Sequence, residues 1–333
     1  MNASPAPDTG DPPKRLPDGA PGRVRLHRLL VPMDFSASSL RAYHYAVALA
    51  ECFGGKIALL HVVPPSMLPE WGYAHLARRD MHLKAAARRR MEDFVRTQGS
   101  AARHVKDLLV CAGEPQFQIP EAAREHAADL VVMATHGESL IPHCLLGNSA
   151  EQVVRSAPCP VWVVPGVSGD ELQPALLPLR RILVATDFSA ESRKALCYGV
   201  ALAREFDATL HLVHVVPTVL PADVSHLTMI LQEAAMRESA GRELARMRED
   251  ELPADLPVVT TVLNGNPFIE IGNEALRSCA GLIIVSTHGY SGLRYLLLGC
   301  TAQRVVQHAS VPVLVVREHE PEFIALTAPG KEN

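Results

Sequence analysis

The sequence predicts an α/β fold built twice: two open parallel five-stranded sheets, each with helices on both faces. Three observations predict it. Six short motifs recur in one order in both halves of the chain. The apolar runs are short and uninterrupted, as strands buried on both faces require. Helical stretches alternate with those runs, the pattern of a parallel sheet with helical crossovers.

The repeat is read directly. "LLVPMDFS" at 29–36 returns as "ILVATDFS" at 182–189, and "IALLHVVP" at 57–64 as "LHLVHVVP" at 210–217. "AGEP" at 112–115 matches "NGNP" at 264–267, and "VMATHG" at 132–137 matches "IVSTHG" at 284–289. "CLLGN" at 144–148 matches "LLLGC" at 296–300, and "CPVWVV" at 159–164 matches "VPVLVV" at 311–316. The offset is 153 at the aspartates (187 − 34) and 152 at the loop glycines (289 − 137). One domain has been duplicated in tandem, so differences between copies report differences in chemistry.

Each copy opens with a strand, 28–33 or 181–186, that ends in Asp-Phe-Ser. A helix follows, with Leu40, Tyr43, Val47 and Ala50 at helical spacing in copy one and Ser36 or Ser38 as its N-cap. A second strand, 56–64 or 209–217, leads to a long charged helix near 74–98 or 222–250. A third strand near 104–111 or 257–263 runs into Gly-x-Pro, and a helix follows at 115–127 or 267–279. A fourth strand ends in a glycine loop. A last helix, 148–156 or 300–309, precedes the fifth strand at 160–164 or 312–316. The predicted division is a disordered tail at 1–24, a domain at 25–166, a linker at 167–179, a domain at 180–317 and a polar tail at 318–333. The first tail holds six prolines among Gly and Asp.

Composition narrows the function classes. A chain of 333 residues suffices for two domains of ordinary size. A net charge of −4 provides no basic field for nucleic acid, and Arg88–Arg90 reads as the solvated face of the long helix. No apolar run approaches the roughly 20 residues that span a bilayer. Seven scattered cysteines, with no C-x-x-C pair, suggest free thiols in a reducing cytoplasm. The fifteen histidines show no metal-ligand spacing, so no metal site is expected within the protein itself. His61 and His214, inside apolar strands, read as satisfied core histidines.

Open parallel sheets bind ligands beyond the carboxyl ends of their strands, where the strand order reverses. Asp34 or Asp187 lies at one such end, and the loop after the fourth strand at another. That loop reads Ala134-Thr135-His136-Gly137, nine residues, then Gly147-Asn148. In copy two it reads Ser286-Thr287-His288-Gly289, nine residues, then Gly299-Cys300. Glycines admit close backbone approach, and the last glycine opens a helix whose N–H groups favour phosphate. An aspartate suits a base or ribose edge, which offers donors. A helix-capping role beside Ser36 and Ser189 is the equally weighted alternative. No nucleophile–base–orienter set accompanies the loop histidines, so catalysis is not expected.

On these motifs, residues 26–317 resemble the universal stress protein family in its tandem-domain form. The resemblance implies Rossmann-like, adenine-nucleotide alpha-hydrolase-like domains. It also implies an ATP or other adenine-nucleotide site, with Mg2+ accompanying the nucleotide. Adenine and ribose would meet Ala185, Asp187 and Val215, and phosphates Gly289, Gly299, Cys300 and Thr301, with Ser286 beside them. The first-copy counterparts are Pro32, Asp34, Val62, Gly137, Gly147, Asn148 and Ser149. The family's Gly-x-x-Gly, nine residues, Gly-Ser/Thr keeps its spacing here. Its first glycine is replaced by Ala134 or Ser286 and its hydroxyl residue by Asn148 or Cys300. Copy two adds Gly292 and Arg294 inside the loop, whereas copy one adds Glu138 and Pro142. Copy two is therefore the expected better site.

The fifth strands begin with proline, as edge strands can. Their exposed apolar edges invite pairing, so an internal pseudo-dimer through strand five is expected. A homodimer of chains would be a further level, and a regulatory partner would read the state. The expected role is a nucleotide-responsive stress protein; the alternatives are a scaffold that binds no nucleotide and a weak ATPase. No Walker lysine motif supports the last.

Overall fold

A computed structural model describes residues 21–63, 73–135, 147–166, 179–218, 226–287, 300–317 and 323–326. Strand β1 (Pro21–Val24) precedes the first repeat. That repeat comprises β2 (Arg28–Pro32), α1 (Ala37–Phe53), β3 (Lys56–Val63), α2 (Tyr73–Thr97), β4 (Val105–Ala112), α3 (Pro115–Glu125), β5 (Leu130–Ala134), α4 (Asn148–Ser156) and β6 (Val161–Val164). The second comprises β7 (Arg181–Ala185), α5 (Ala190–Phe206), β8 (Thr209–Pro217), α6 (His226–Asp250), β9 (Val258–Gly265), α7 (Pro267–Arg277), β10 (Leu282–Ser286), α8 (Cys300–His308) and β11 (Val313–Val316). Strand β12 (Ile324–Leu326) follows.

Among the described residues the two repeats share one ten-stranded sheet, ordered β4-β3-β2-β5-β6-β11-β10-β7-β8-β9. Strands within each repeat pair in parallel. Within that sheet, among the described residues, β6 and β11 alone pair antiparallel, Trp162 opposite Leu314 and Val161 opposite Val315. The two predicted edges thus join, and the antiparallel seam relates the repeats by a pseudo-two-fold axis. Every residue of β5, β6 and β11 is buried, which explains why those strands show no alternation. Two apolar clusters, one on each face of the sheet, draw residues from both repeats. Trp162 lies in the first, beside Tyr45 of α1 at 6.5 Å between ring centroids.

Helix ends depart from expectation. The helices predicted over 115–127 and 267–279 stop at Glu125 and Arg277. The residues that follow, Ala127 (φ 44°) and Cys279 (φ 52°), take the left-handed conformation without being glycine. No local signal marks such a stop. A 3₁₀ turn over Gly99–His104 intervenes before β4. Of the stretch 222–250, residues 222–225 lie outside the described residues.

The tails need correction. Residues 21–24, placed in a disordered tail, form a strand, as do 324–326, placed in a polar tail. They pair antiparallel, Pro21 opposite Leu326 and Val24 opposite Ile324. The Arg25 amide donates to the Phe323 carbonyl at 2.6 Å. Phe323, 2% exposed, packs edge to face on Tyr198 of α5 with centroids 4.7 Å apart. Each strand, four and three residues long, is too short to announce itself. The partner that completes it lies nearly the whole chain away.

Candidate functional site

In each repeat the connections leave β2 and β5, or β7 and β10, in opposite directions along the sheet. A crevice opens there at the carboxyl ends of the strands. The Asp-Phe-Ser turn occupies one lip. Asp34 Oδ1 accepts from the Ser36 amide (3.0 Å) and hydroxyl (2.6 Å). Ser36 Oγ in turn accepts from the Ser39 amide at 3.2 Å, capping α1. Copy two repeats this: Asp187 Oδ1 accepts from the Ser189 amide (3.1 Å) and hydroxyl (2.5 Å), and Ser189 Oγ accepts from the Ser192 amide (3.1 Å). The capping role weighed above is present in both copies. It occupies one oxygen of each aspartate in the turn.

The residue between Asp and Ser is held in an unusual backbone state. Phe35 has φ 68° and Phe188 φ 67°. Left-handed backbone at a bulky residue costs roughly 1–3 kcal/mol and persists only where its surroundings enforce it. The histidines of the second strands supply part of that enforcement. His61 Nδ1 donates to the Met33 carbonyl at 2.7 Å, and His214 Nδ1 to the Thr186 carbonyl at 2.8 Å. The Phe188 ring stacks on His214 with centroids 4.4 Å apart, and Phe35 tilts against His61 at 5.2 Å. Burial lowers the His214 pKa below its usual value, against the opposing pull of the Thr186 carbonyl and Asp187. Both histidines are hydrogen-bonded as expected. They are half-buried at the crevice, however, not sealed in the core. Their signal in the sequence was a common spacing from the aspartate, 27 residues in each copy (61 − 34, 214 − 187).

The copies secure this turn differently. Thr186 Oγ1 accepts from the Phe188 amide (3.0 Å) and meets Ser192 Oγ (3.0 Å). Met33 stands at the matching place, where its sulfur accepts from Ser39 Oγ at 3.3 Å. In copy two, Arg193 Nη1 donates to the Phe188 carbonyl (3.0 Å), while its Nε donates to both carboxylate oxygens of Glu251 (3.1 and 3.2 Å). In copy one, the Arg90 guanidinium lies over the Phe35 ring, 4.0 Å from its centroid. Sequence reading placed Arg90 on a solvated face and did not single out Arg193.

The second lip is the return of the glycine loop. The Thr135 amide donates to the Val164 carbonyl (3.0 Å), and Thr135 Oγ1 accepts from the Gly166 amide (2.9 Å). The Thr135 carbonyl accepts from the Gly147 amide (3.0 Å). Gly147 therefore comes back to the end of β5, and α4 starts there with no side chain capping it. Ser149 Oγ faces Gln116 Oε1 at 3.5 Å. Glu151, in the first turn of α4, pairs with Arg155 at 2.6 Å. Arg155 also reaches Gln303 of α8 at 3.3 Å, crossing between the repeats. Thr287 repeats the anchor through its amide and the Val316 carbonyl (3.0 Å).

The predicted residues are distributed accordingly. Pro32, Asp34, Val62, Ala185 and Asp187 lie half-buried at the first lip, whereas Val215 is 8% exposed and belongs to a core cluster. Ser286 ends β10, Asn148 and Cys300 open α4 and α8, and Thr301 is half-buried in the first turn of α8. Gly137, Gly289, Gly292 and Gly299 lie outside the described residues, as do His136, His288, Glu138, Pro142 and Arg294. Among the described residues, no group of three His, Cys, Asp or Glu could hold a metal ion. Nor is any described helix long and apolar enough to cross a membrane.

Comparison with known proteins agrees with the doubling. The profile of the Universal stress protein family matches residues 25–165 and again 178–317. A universal stress protein of Methanocaldococcus jannaschii is 34% identical over 149 residues, covering 43% of this chain and 85% of that protein. One from Mycolicibacterium smegmatis is 27% identical over 298 residues, covering 87% of this chain and 96% of its own. The crystal structure of a universal stress protein from Archaeoglobus fulgidus superposes over 87% of this chain and 98% of its own, with a TM-score of 0.57 at 21% identity. Since the profile accounts for both halves of the sheet, the chain belongs to the universal stress protein family and carries its domain twice.

Proposed function

We propose that this stress-response protein is a regulatory module that binds an adenine nucleotide, without catalysis, more tightly in its second repeat. The carrying observation is the convergence of two lips at one switch point. The Asp34 turn follows β2, and the helix opened by Gly147 returns to the end of β5, its sheet neighbour. Backbone N–H groups at a helix start suit phosphate, and a carboxylate suits a ribose or base edge. Mg2+ would arrive with the nucleotide. The preference for copy two rests on charge. Glu151 places a carboxylate in the first turn of α4, where it opposes phosphate, whereas Gln303 is neutral at the same place in α8. The output would pass to a regulatory partner or to pairing between whole chains in the cytoplasm.

A specific observation favours a second reading, a scaffold that binds no nucleotide. Asp34 Oδ1 and Asp187 Oδ1 both serve local turns, and Ser149 faces Gln116. Titration of the full chain with labelled ATP decides between them. The expected result is one tight site per chain, weakened about tenfold by Asp187→Asn and little changed by Asp34→Asn. No binding at millimolar ATP would establish the scaffold. Steady phosphate release abolished by Asp187→Asn would instead indicate a weak ATPase.

A further inference from the structure

Arg193 has no charged counterpart in the first repeat. With the 153-residue offset, the places of Arg193 and Glu251 are taken by Leu40 and Gln98. The pair is therefore peculiar to copy two and is not demanded by the fold. Its side chains are each 11% exposed, so both charges have given up most of their water. A buried ion pair is weak evidence for stability, because desolvation offsets the attraction. What it does offer is a fixed geometry. Arg193 is the fourth residue of α5, and Glu251 follows the last turn of α6. From that anchor the guanidinium reaches back to the carbonyl of Phe188, the residue with φ 67°.

We infer that Arg193 is a positioning residue for the second site. Clamped by Glu251, it holds the left-handed Phe188 and thereby the orientation of Asp187. The planar fork matters here: Nε serves the carboxylate while Nη1 serves the carbonyl, and a lysine ammonium has no rigid fork of that kind. Three further contacts converge on the same turn, from Thr186 Oγ1 to the Phe188 amide, from Asp187 to Ser189, and from the His214 ring to the Phe188 ring. Arg193 alone among these ties the turn to α6. Copy one ties its turn to the matching helix α2 by the Phe35 ring, under the Arg90 guanidinium and edge to face with Phe94, so that tie grips a side chain where Arg193 grips the backbone. The inference rests on the nucleotide reading above and supplies a second reason for unequal sites.

The experiment uses the full chain and a matched control. Arg204, near the far end of α5 and about four helical turns from the Asp-Phe-Ser turn, pairs with Asp255 beyond α6 at 2.9 Å. Arg193→Lys and Arg204→Lys are compared by amide hydrogen exchange and by ATP titration. For Arg193→Lys, the Phe188 and Ser189 amides are expected to exchange about tenfold faster and ATP to bind about tenfold more weakly. Arg204→Lys should match the unaltered chain in both. Glu251→Gln, which keeps a hydrogen-bonding oxygen but loses the charge, should fall between and serves if Arg193→Lys does not fold. Unchanged exchange at Phe188 and Ser189 overturns the inference, as does an equal change in Arg204→Lys. If the unaltered chain binds no ATP while Arg193→Lys still loosens the turn, the nucleotide reading fails and the turn-holding role of Arg193 stands. If the turn loosens but ATP affinity holds, the positioning role is refuted.

Discussion

Phe53 and Phe206, the last residues of α1 and α5, meet edge to face across the pseudo-two-fold axis with centroids 5.7 Å apart. They occupy the same place in the two repeats, so the duplicated helix contacts its own copy. An edge-to-face pair contributes about 1 kcal/mol beyond area burial. A double-mutant cycle of Phe53→Ala and Phe206→Ala, followed by urea unfolding, should return about that coupling. Strict additivity would mean that the repeats do not stabilise each other there.

The strand pair at the chain ends is expected to contribute to stability. Phe323 is buried against Tyr198, and Phe→Ala at buried sites costs about 3 kcal/mol or more. Phe323→Ala should lower the thermal midpoint, and truncation after Arg317 should lower it at least as far. A truncated chain with the original midpoint would show that β1 and β12 are dispensable.

Capping and ligand roles of the Asp-Phe-Ser turn separate by substitution. Ser189→Ala removes the cap on α5 and should cost about 1 kcal/mol in denaturant unfolding. Asp187→Asn keeps an oxygen that accepts from Ser189 while removing the charge. It should be the milder change for stability and the harsher one for ATP. The reverse ranking would make the aspartate a purely structural residue.

Acid should destabilise the protein through one buried and two half-buried imidazoles. Burial holds His44, His211 and His214 below the ordinary value of 6.5. As pH falls below about 6.5, the unfolded chain takes up protons that the folded chain refuses. Their stabilisation is present above that value and is lost as pH drops toward the lower folded values. The thermal midpoint should therefore fall between pH 7 and pH 5. His211→Asn, at a side chain bonded to Thr261 at 2.8 Å, should flatten that dependence even though it lowers the midpoint overall.

Gly199 marks a close approach between α5 and the sheet. A Cβ there would lie 2.5 Å from Val184 Cγ2 and 3.0 Å from Leu210 Cδ1. Overpacking of that kind costs about 2 kcal/mol, offset by roughly 1 kcal/mol of helix propensity. Gly199→Ala should therefore be mildly destabilising in urea, even though Ala46 occupies the matching place in the first repeat.

Much of the fold was legible because strands and helices write their periods locally. The run at 130–134 is apolar throughout because β5 is covered on both faces, and Ser36 announced the start of α1. The helix stops at Glu125 and Arg277 were not legible, since the left-handed residues just beyond them, Ala127 and Cys279, are of types with no preference for that backbone. Of the candidate site, the aspartates and the Thr135–Gly147 return were legible as repeated motifs. Arg90 stays exposed on its helix face as read, with the Phe35 ring beneath it. The role of Arg193 was not legible: a guanidinium in the first turns of α5 looks solvated until Glu251 is folded against it.

By itself the sequence determined that the domain is doubled, that each copy is a parallel α/β unit, and that the two loops differ in charge and stiffness. These follow from composition, period and spacing within some tens of residues. Pairing of the two fifth strands was also expected, but tertiary structure alone decided that their seam is antiparallel and makes one ten-stranded sheet, that the chain ends pair as β1 and β12, and that Phe35 and Phe188 turn left-handed. The physical reason is common to all three. Backbone hydrogen bonding is nearly blind to side-chain identity. Which distant strand or carbonyl a group finds depends on what packing has already brought within about 3 Å.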